Sequence, residues 1–342
     1  MNTTNFWAKL PSPFSVLAPM EDVTDIVFRH VVARAARPDV FVTEFTNTAS
    51  FCSEQGNFST VGRLTHDAGE APIVAQIWGT EPDHFATMSH ALREQGFDGI
   101  DINMGCPAKD VVKIGAGSGM IGNCQLAQQI IAATKEGGLP VSVKTRLGQT
   151  RVAEYRDWIA FLLSQKLACL TVHLRTRKEM SKVPAHYELI SELVSLRDRL
   201  SPSTRLVING DIADYARITA LHHQYPDVDG YMIGRGVFAN PFCFDRSGRP
   251  HSRSELFSLF RYHLDQYDKY RRIMPAERPE LVRNFDSLKH FFKIYVNGFA
   301  GASDLRARLY TCTSTDEIRQ VLAEASHHET KPLDMRGAIP VV

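Results

Sequence analysis

Eight short segments of this chain are apolar and rich in β-branched residues, and most are separated by stretches whose apolar residues recur at three- and four-residue spacing. The segments are Phe14–Met20, Val40–Phe45, Ile73–Trp78, Gly99–Met104, Val141–Arg146, Cys169–Leu174, Arg205–Asn209 and Gly230–Gly234. The helix-like stretches include Glu81–Gln95, Cys124–Lys135, Ala153–Gln165 and Ala213–His223. Near-continuous apolar runs are what strands buried on both faces require, and such strands pair in parallel through crossover helices. Eight alternations of this kind predict an α/β fold whose sheet closes on itself, a TIM (β/α)8 barrel. An open doubly wound sheet normally needs fewer strands.

After Asn240-Pro241 the strand signal stops and only helical periodicity remains. Helices are predicted over Arg253–Arg272, Glu280–Asn297, Ser303–Tyr310 and Ser314–Glu324, the last opening with a capping pair of Ser314 and Glu317. The expected organisation is a catalytic barrel over residues 1–244, a small all-helical domain over 245–328 and a tail over 329–342. Charge follows the same division. The 342 residues carry a net charge of +1, yet 13 Lys or Arg face 7 Asp or Glu between Arg246 and Arg308, so the remainder is net negative. A broadly basic nucleic-acid binder is excluded, and the positive charge sits on the helical part.

Six cysteines without a CxxC pair point to reduced thiols in a cytoplasmic protein. No apolar run suits a signal peptide, and none approaches the roughly 18 residues of a membrane span. No membrane and no metal are expected.

The polar residues Glu44, Gln76, Asn103, Lys144, His173, Asn209 and Arg235 fall at or just beyond the C-terminal ends of the strands. A barrel gathers all those ends on one face, where such enzymes place their chemistry. The sharpest segment is DINMGCPAK, residues 101–109, followed by the glycine-rich IGAGSGM of residues 114–120. Cys106, between Gly105 and Pro107, is held in a sharp loop at a strand end, where a thiol can be nucleophile, metal ligand or proton donor. A lone cysteine is more often structural, which is the reading for the other five. GAGSG follows a loop and lacks the GxGxxG spacing, so it is not a dinucleotide fingerprint. A mobile loop that folds over a substrate is the expectation there.

NMGCPAK, preceded by Ala18-Pro19-Met20 at the end of the first strand, resembles the signature of the tRNA-dihydrouridine synthases. Further landmarks stand in that family's order: Gln76 in AQIWG, Lys144 in VKTRLG, His173 in TVHLRTR, Asn209-Gly210-Asp211 in VINGDI and Gly234-Arg235 in MIGRG. The resemblance implies FMN as cofactor, NADPH or NADH as reductant and a uridine of tRNA as substrate. It implies that Cys106 protonates C5 of the uracil while hydride adds to C6. Ala18, Pro19 and Met20 would pass under the flavin, Gln76 would meet its polar edge, and Lys144 would stabilise its anionic reduced form. His173 would contact flavin or phosphate. Asn209, Gly210, Asp211, Gly234 and Arg235 would form the phosphate site that barrels build after strands seven and eight.

On the substrate side Asn103 is the candidate for the uracil edge, and Arg175 and Arg177 for the base or nearby phosphates. Family members commonly continue the sixth of these parallel strands as HGRT; here Leu174 replaces the glycine, which leaves the substrate contacts of that loop open. The helical part would hold the RNA through Arg261, Lys269, Arg271, Arg272, Arg283, Lys289 and Lys293, with Tyr262, Tyr267, Tyr270 and Phe291 interleaved. A monomer leaves that face clear and is the expected state. Two rivals remain at this point: an FMN barrel reducing a free pyrimidine, which gives no reason for a basic helical domain, and a non-catalytic RNA-binding protein that has kept an enzyme fold.

Overall fold

The computed structural model describes residues 5–273 and 284–326. Its nine strands run Phe14–Leu17 (β1), Phe41–Val42 (β2), Thr46–Asn47 (β3), Ile73–Trp78 (β4), Gly99–Met104 (β5), Val141–Arg146 (β6), Cys169–His173 (β7), Arg205–Asn209 (β8) and Gly230–Ile233 (β9). All pairings are parallel, in the order β1-β9-β8-β7-β6-β5-β4-β2, and a bridge between Val16 and Val40 carries β1 back to the start of β2. The sheet is a nearly closed (β/α)8 barrel. The predicted strand over Val40–Phe45 is the one that differs. Only Phe41–Val42 of it is strand (β2), and β3 lies just past its end; both pair with β4, so nine strands fill eight barrel positions.

Register partners share a face of the sheet, so the pairings show which side chains point inward together. One layer holds Gln76, Asp101, Ser142 and Cys169; the next holds Asn103, Lys144, Thr171 and Val207; a third, nearest the C-terminal ends, holds Arg146, His173, Asn209 and Met232. Toward the N-terminal ends the interior is apolar: Trp7, Phe14, Val16, Val40, Val42, Val74, Cys169 and Val207 form one buried cluster. Trp7 belongs to a 3-10 turn, Phe6–Lys9, that Arg205 holds by donating to the carbonyls of Trp7 (3.0 Å) and Leu10 (2.6 Å). Arg205 is itself paired with Asp229 at 2.6 Å, which also meets Arg197.

Two compact units can be separated. The first is the barrel, the described residues up to Asp25 with Pro38–Ile212 and Ile218–Gly234; the second gathers Ile26–Arg37, Ala213–Arg217 and the described residues from Arg235 onward. In the second unit the helix Ile26–Ala35 packs against the long helix Arg253–Ile273, and Phe28 stacks on Phe291 at 4.9 Å. The predicted helix over Glu280–Asn297 lies partly outside the described residues. Its described part is a 3-10 turn, Phe285–Phe291, followed by the short helix Phe292–Tyr295. The last helix, Thr315–Ser326, has a shifted capping box: Ser314 Oγ accepts from Glu317 N at 3.2 Å, but the Glu317 carboxylate accepts from Thr313 N at 2.7 Å. No helix among the described residues is long and apolar enough to cross a membrane.

The seam between β1 and β9 is closely packed. A Cβ on Gly230 would lie 2.4 to 2.7 Å from three carbons of the Phe14 ring, which is fully buried and already packed against Trp7. Gly230→Ala is therefore expected to destabilise the protein by about 1–3 kcal/mol through overpacking. Urea unfolding checks this, and an unchanged midpoint would show that the seam can open without cost.

Candidate active site

Cys106 follows β5 by two residues, and its loop is fixed by a chain of side-chain hydrogen bonds across three strands. Asn103 Oδ1 accepts from the backbone N–H of Gly105 (3.1 Å) and of Cys106 (2.9 Å). Asn103 Nδ2 donates to Gln76 Oε1 at 3.0 Å, and Gln76 Nε2 donates to Asp101 Oδ2 at 2.7 Å. Ser142 Oγ donates to Asp101 Oδ1 at 2.6 Å. The direction of every bond is dictated by its neighbour. Two backbone N–H groups require the Asn103 oxygen, which turns its amide nitrogen to the Gln76 oxygen, which turns the Gln76 nitrogen to the carboxylate. Each bond contributes only about 1 kcal/mol net, but a buried partner left unpaired costs about 1–3 kcal/mol, so one arrangement is selected.

The far side of the loop is held as firmly. Ser118 donates to the Cys106 carbonyl through N (3.0 Å) and Oγ (2.9 Å). Gly117 has φ +55°, and a Cβ there would stand 2.8 Å from the Cys106 carbonyl oxygen. Gln149 Nε2 bonds the carbonyls of Gly119 (3.3 Å) and Ile121 (2.8 Å). The glycine-rich segment expected to be a mobile cover is thus bonded behind the thiol as a buttress. Arg146 Nε donates to the Gly105 carbonyl at 2.8 Å, and its Nη1 reaches the carbonyls of Thr176 (3.3 Å) and Met180 (3.2 Å). Cys106 itself is half-buried, whereas Cys169, Cys243 and Cys312 are buried and Cys52 and Cys124 exposed.

Lys144 stands beside Asn103 in register. Its ammonium has no hydrogen bond or ion pair among the described residues. Burial lowers its pKa to about 8, with Arg146 adding to the effect and Asp101 and Cys106 opposing it. Burial acts oppositely on Asp101, raising its carboxyl to about 6 against the hydrogen bonds from Ser142 and Gln76 and the charge of Lys144. Asp101 is therefore a partnered carboxylate, and Lys144 near it is a cation with no ion pair among the described residues.

The other sequence-predicted residues divide. Ala18, Pro19 and Met20 continue β1, with Ala18 N bonded to the Ile233 carbonyl (2.9 Å) and Met20 N to Thr24 Oγ1 (3.0 Å). Gly234 follows β9, and a Cβ there would lie 3.5 Å from that of Ala18. Asn209 Nδ2 donates to the Met232 carbonyl at 2.8 Å, and Gly210 follows with φ +121°. Gln76 is fully buried, with both ends of its amide engaged, so it supports the loop rather than lining open space. Asn103 likewise has its carbonyl occupied and keeps one N–H for a ligand.

Arg175 and Asp211 differ most from expectation. Arg175 is 2% exposed; it pairs with Asp211, donates to the Val183 carbonyl at 2.5 Å and lies 3.3 Å from His173 Nε2. Asp211 also accepts from Ala185 N at 3.0 Å. These two residues hold the loop after β7 against β8; the pairing joins residues 36 apart, which no local pattern reveals. Arg177 remains half-buried with its Nε unpaired. Arg235 stands at the N-cap position of the short helix Gly236–Ala239 in the second unit, without a side-chain hydrogen bond to the helix. In that unit Tyr267, Tyr270 and Phe291 are buried core, while Lys269, Arg271, Arg272 and Lys293 are exposed. Arg261 and Lys289 are partly engaged, with the Leu322 carbonyl and Asp286, and Arg283 lies outside the described residues. Sequence reasoning does not single out Asp101, Ser142, Ser118 or Arg146, although the two-residue spacing of Asp101 and Asn103 already places both on one face.

The network predicts a distinctive behaviour for Asp101→Asn. Its oxygen can accept from Gln76 while its amide donates to Ser142, whose hydroxyl turns to the Ile100 carbonyl at 3.3 Å. The fold should survive. Because the folded-state pKa of Asp101 is raised, its contribution to stability is full below the unfolded value near pH 4 and is lost as pH rises through about 6. Measured by urea unfolding, wild-type stability relative to Asp101→Asn is expected to fall by on the order of 3 kcal/mol between pH 4 and pH 7. A constant difference would contradict the burial assigned to this carboxyl.

The family model for dihydrouridine synthases matches residues 16–331. A probable tRNA-dihydrouridine synthase 2 of Bacillus subtilis (strain 168) is 53% identical over 332 residues, covering 97% of this chain and 99% of that protein. A probable tRNA-dihydrouridine synthase of Staphylococcus aureus (strain COL) is 54% identical over 320 residues, covering 94% and 95%. Among solved structures, histamine dehydrogenase from Rhizobium sp. 4-9 aligns with a TM-score of 0.51 at 12% identity, over 75% of this chain and 49% of that one, a likeness of fold. With the cysteine loop and lysine placed at one barrel mouth and the family match running through nearly the whole chain, the protein belongs to the dihydrouridine synthase family.

Proposed function

We propose that the barrel mouth binds FMN, takes reducing equivalents from NADPH and reduces the C5=C6 bond of a uridine in tRNA, with Cys106 as the proton donor. The observation that carries this reading is the pairing of a rigidly held thiol with a cation that has no hydrogen bond or ion pair among the described residues, at the same strand ends. Lys144 fits a group that becomes anionic on reduction, and the strand ends at Ala18 and Gly234 present no bulky side chain to a planar ring. Backbone N–H groups after Asn209 and at Gly234 suit a phosphate. The flavin, when bound, supplies the hydride that adds to C6.

The chain's own residues supply the rest. The Cys106 thiol gives its proton to C5, and Asn103, Ser118 and Arg146 hold that thiol in one place, so the reacting geometry is set before substrate arrives. The remaining N–H of Asn103 is available to a uracil carbonyl. Lys144 provides positive charge where electron density accumulates. A uridine in folded RNA must leave its stack to reach these groups. Exposed Lys269, Arg271, Arg272 and Lys293 of the helical unit suit sequence-independent phosphate contacts, whereas Tyr267, Tyr270 and Phe291 are buried and serve its core. Such an enzyme works on tRNA in the cytoplasm, as a monomer.

Dihydrouridine counted by mass spectrometry tests the proposal. Purified protein with FMN and NADPH is expected to form dihydrouridine in unmodified tRNA, to form little when NADPH is omitted, and to leave free uracil and orotate unreduced. Reduction of a free pyrimidine with none in tRNA would overturn the assignment of substrate.

A further inference from the structure

The loop after β7 contains a backbone feature that its packing does not require. Met180 has φ +55°, in the left-handed region that non-glycine residues rarely adopt, and its side chain is 43% exposed. An apolar side chain is thus held out to solvent in a disfavoured conformation. The hold is specific: Met180 N donates to the Arg177 carbonyl at 3.2 Å, and the Met180 carbonyl accepts from Arg146 at 3.2 Å. Arg177 N bonds the Gly148 carbonyl (2.8 Å) and Lys178 N that of Gln149 (2.9 Å), while Glu179 accepts from Thr176 N (2.7 Å) and meets His186 (3.0 Å).

The same loop carries cations without counter-charges. Lys178 and Lys182 are exposed and have no hydrogen bond or ion pair through their side chains among the described residues. Arg177 Nε is buried with no acceptor, a desolvated donor of the kind that is normally satisfied. Rigid backbone, unpaired cations and one projecting thioether are what a surface needs in order to meet a charged strand and pack against an unstacked base. Arg146, which fixes this loop, also fixes the Cys106 loop, so the two are bolted to one guanidinium.

We propose that Thr176–Lys182 is a preformed RNA-contact surface at the barrel mouth: Arg177, Lys178 and Lys182 take phosphates flanking the target uridine, and Met180 packs against the neighbouring base. The proposal rests on the tRNA reading and extends it to a defined surface. It begins at the last residue of the stretch that corresponds to HGRT and continues past it.

Two variants separate it from a structural role. Met180→Gly removes the side chain and relieves the backbone, so its thermal midpoint is expected to stay the same or rise. Its tRNA affinity is expected to fall several-fold with the salt dependence unchanged. The triple variant Arg177→Gln, Lys178→Gln, Lys182→Gln is expected to lose more. The magnitude of its log K against log salt slope should drop by about 2, because each phosphate contact accounts for roughly 0.7–0.9. Binding of unmodified tRNA is followed by filter retention across a salt series, beside differential scanning fluorimetry. Wild-type affinity and slope in both variants, with wild type forming dihydrouridine, would overturn the surface alone. Wild type that neither binds nor reduces tRNA would overturn the reading beneath it. A Met180→Gly variant that loses thermal stability would overturn the argument from strain.

Discussion

Much of the barrel mouth hangs on one buried carboxylate. Asp101 anchors Gln76, Gln76 orients Asn103, and Asn103 accepts the two N–H groups that turn the chain at Cys106. The chain of bonds runs from a charge to a backbone turn, so no member can reverse without leaving a buried donor facing another donor. Asp101 also raises the pKa of Lys144, opposing the burial that lowers it. A single charge in the inward layers therefore serves both the shape of the thiol loop and the charge state of the cation beside it. The cost is visible in the same residue, whose carboxyl burial shifts to about 6. Stability is given up to hold a site in place, as is usual where function needs a buried charge.

The barrel was legible because parallel strands buried on both faces leave an unambiguous mark. β4, β5, β6 and β8 coincide with their apolar runs end to end. The exception is instructive. Val40–Phe45 reads as one strand, but β2 and β3 are separate because only Phe41–Val42 and Thr46–Asn47 align with β4. The chemistry-bearing residues at strand ends were also legible as a group, since a barrel brings all those ends together. Their division of labour was not. Gln76 and Asn103 look alike at a strand end, yet the first is wholly buried in the network and the second keeps a donor spare. Arg175 looks like a substrate cation, but Asp211, far along the chain, neutralises it. Arg146 passes for an ordinary strand residue because its carbonyl partners leave no signature in sequence.

The loops at the mouth share one physical character. The glycine-rich segment that reads as mobile, and the cation-rich loop after β7, are cross-bonded by Arg146, Gln149, Ser118 and Glu179. Preorganisation of this kind lowers the entropy lost when a substrate is positioned. It also fits a chemistry in which one proton must reach one carbon of a planar ring.

The proposed reaction stands or falls on the thiol. In a single turnover, protein carrying reduced FMN is mixed with unmodified tRNA without oxygen, and dihydrouridine is counted against time for wild type and Cys106→Ala. A general acid accounts for about 10²–10⁴-fold in rate. A loss of that size is expected in the variant, with folding and tRNA binding retained. Equal rates in the two proteins would mean that another group delivers the proton, and that neither Cys106 nor the network holding it plays the part assigned to it.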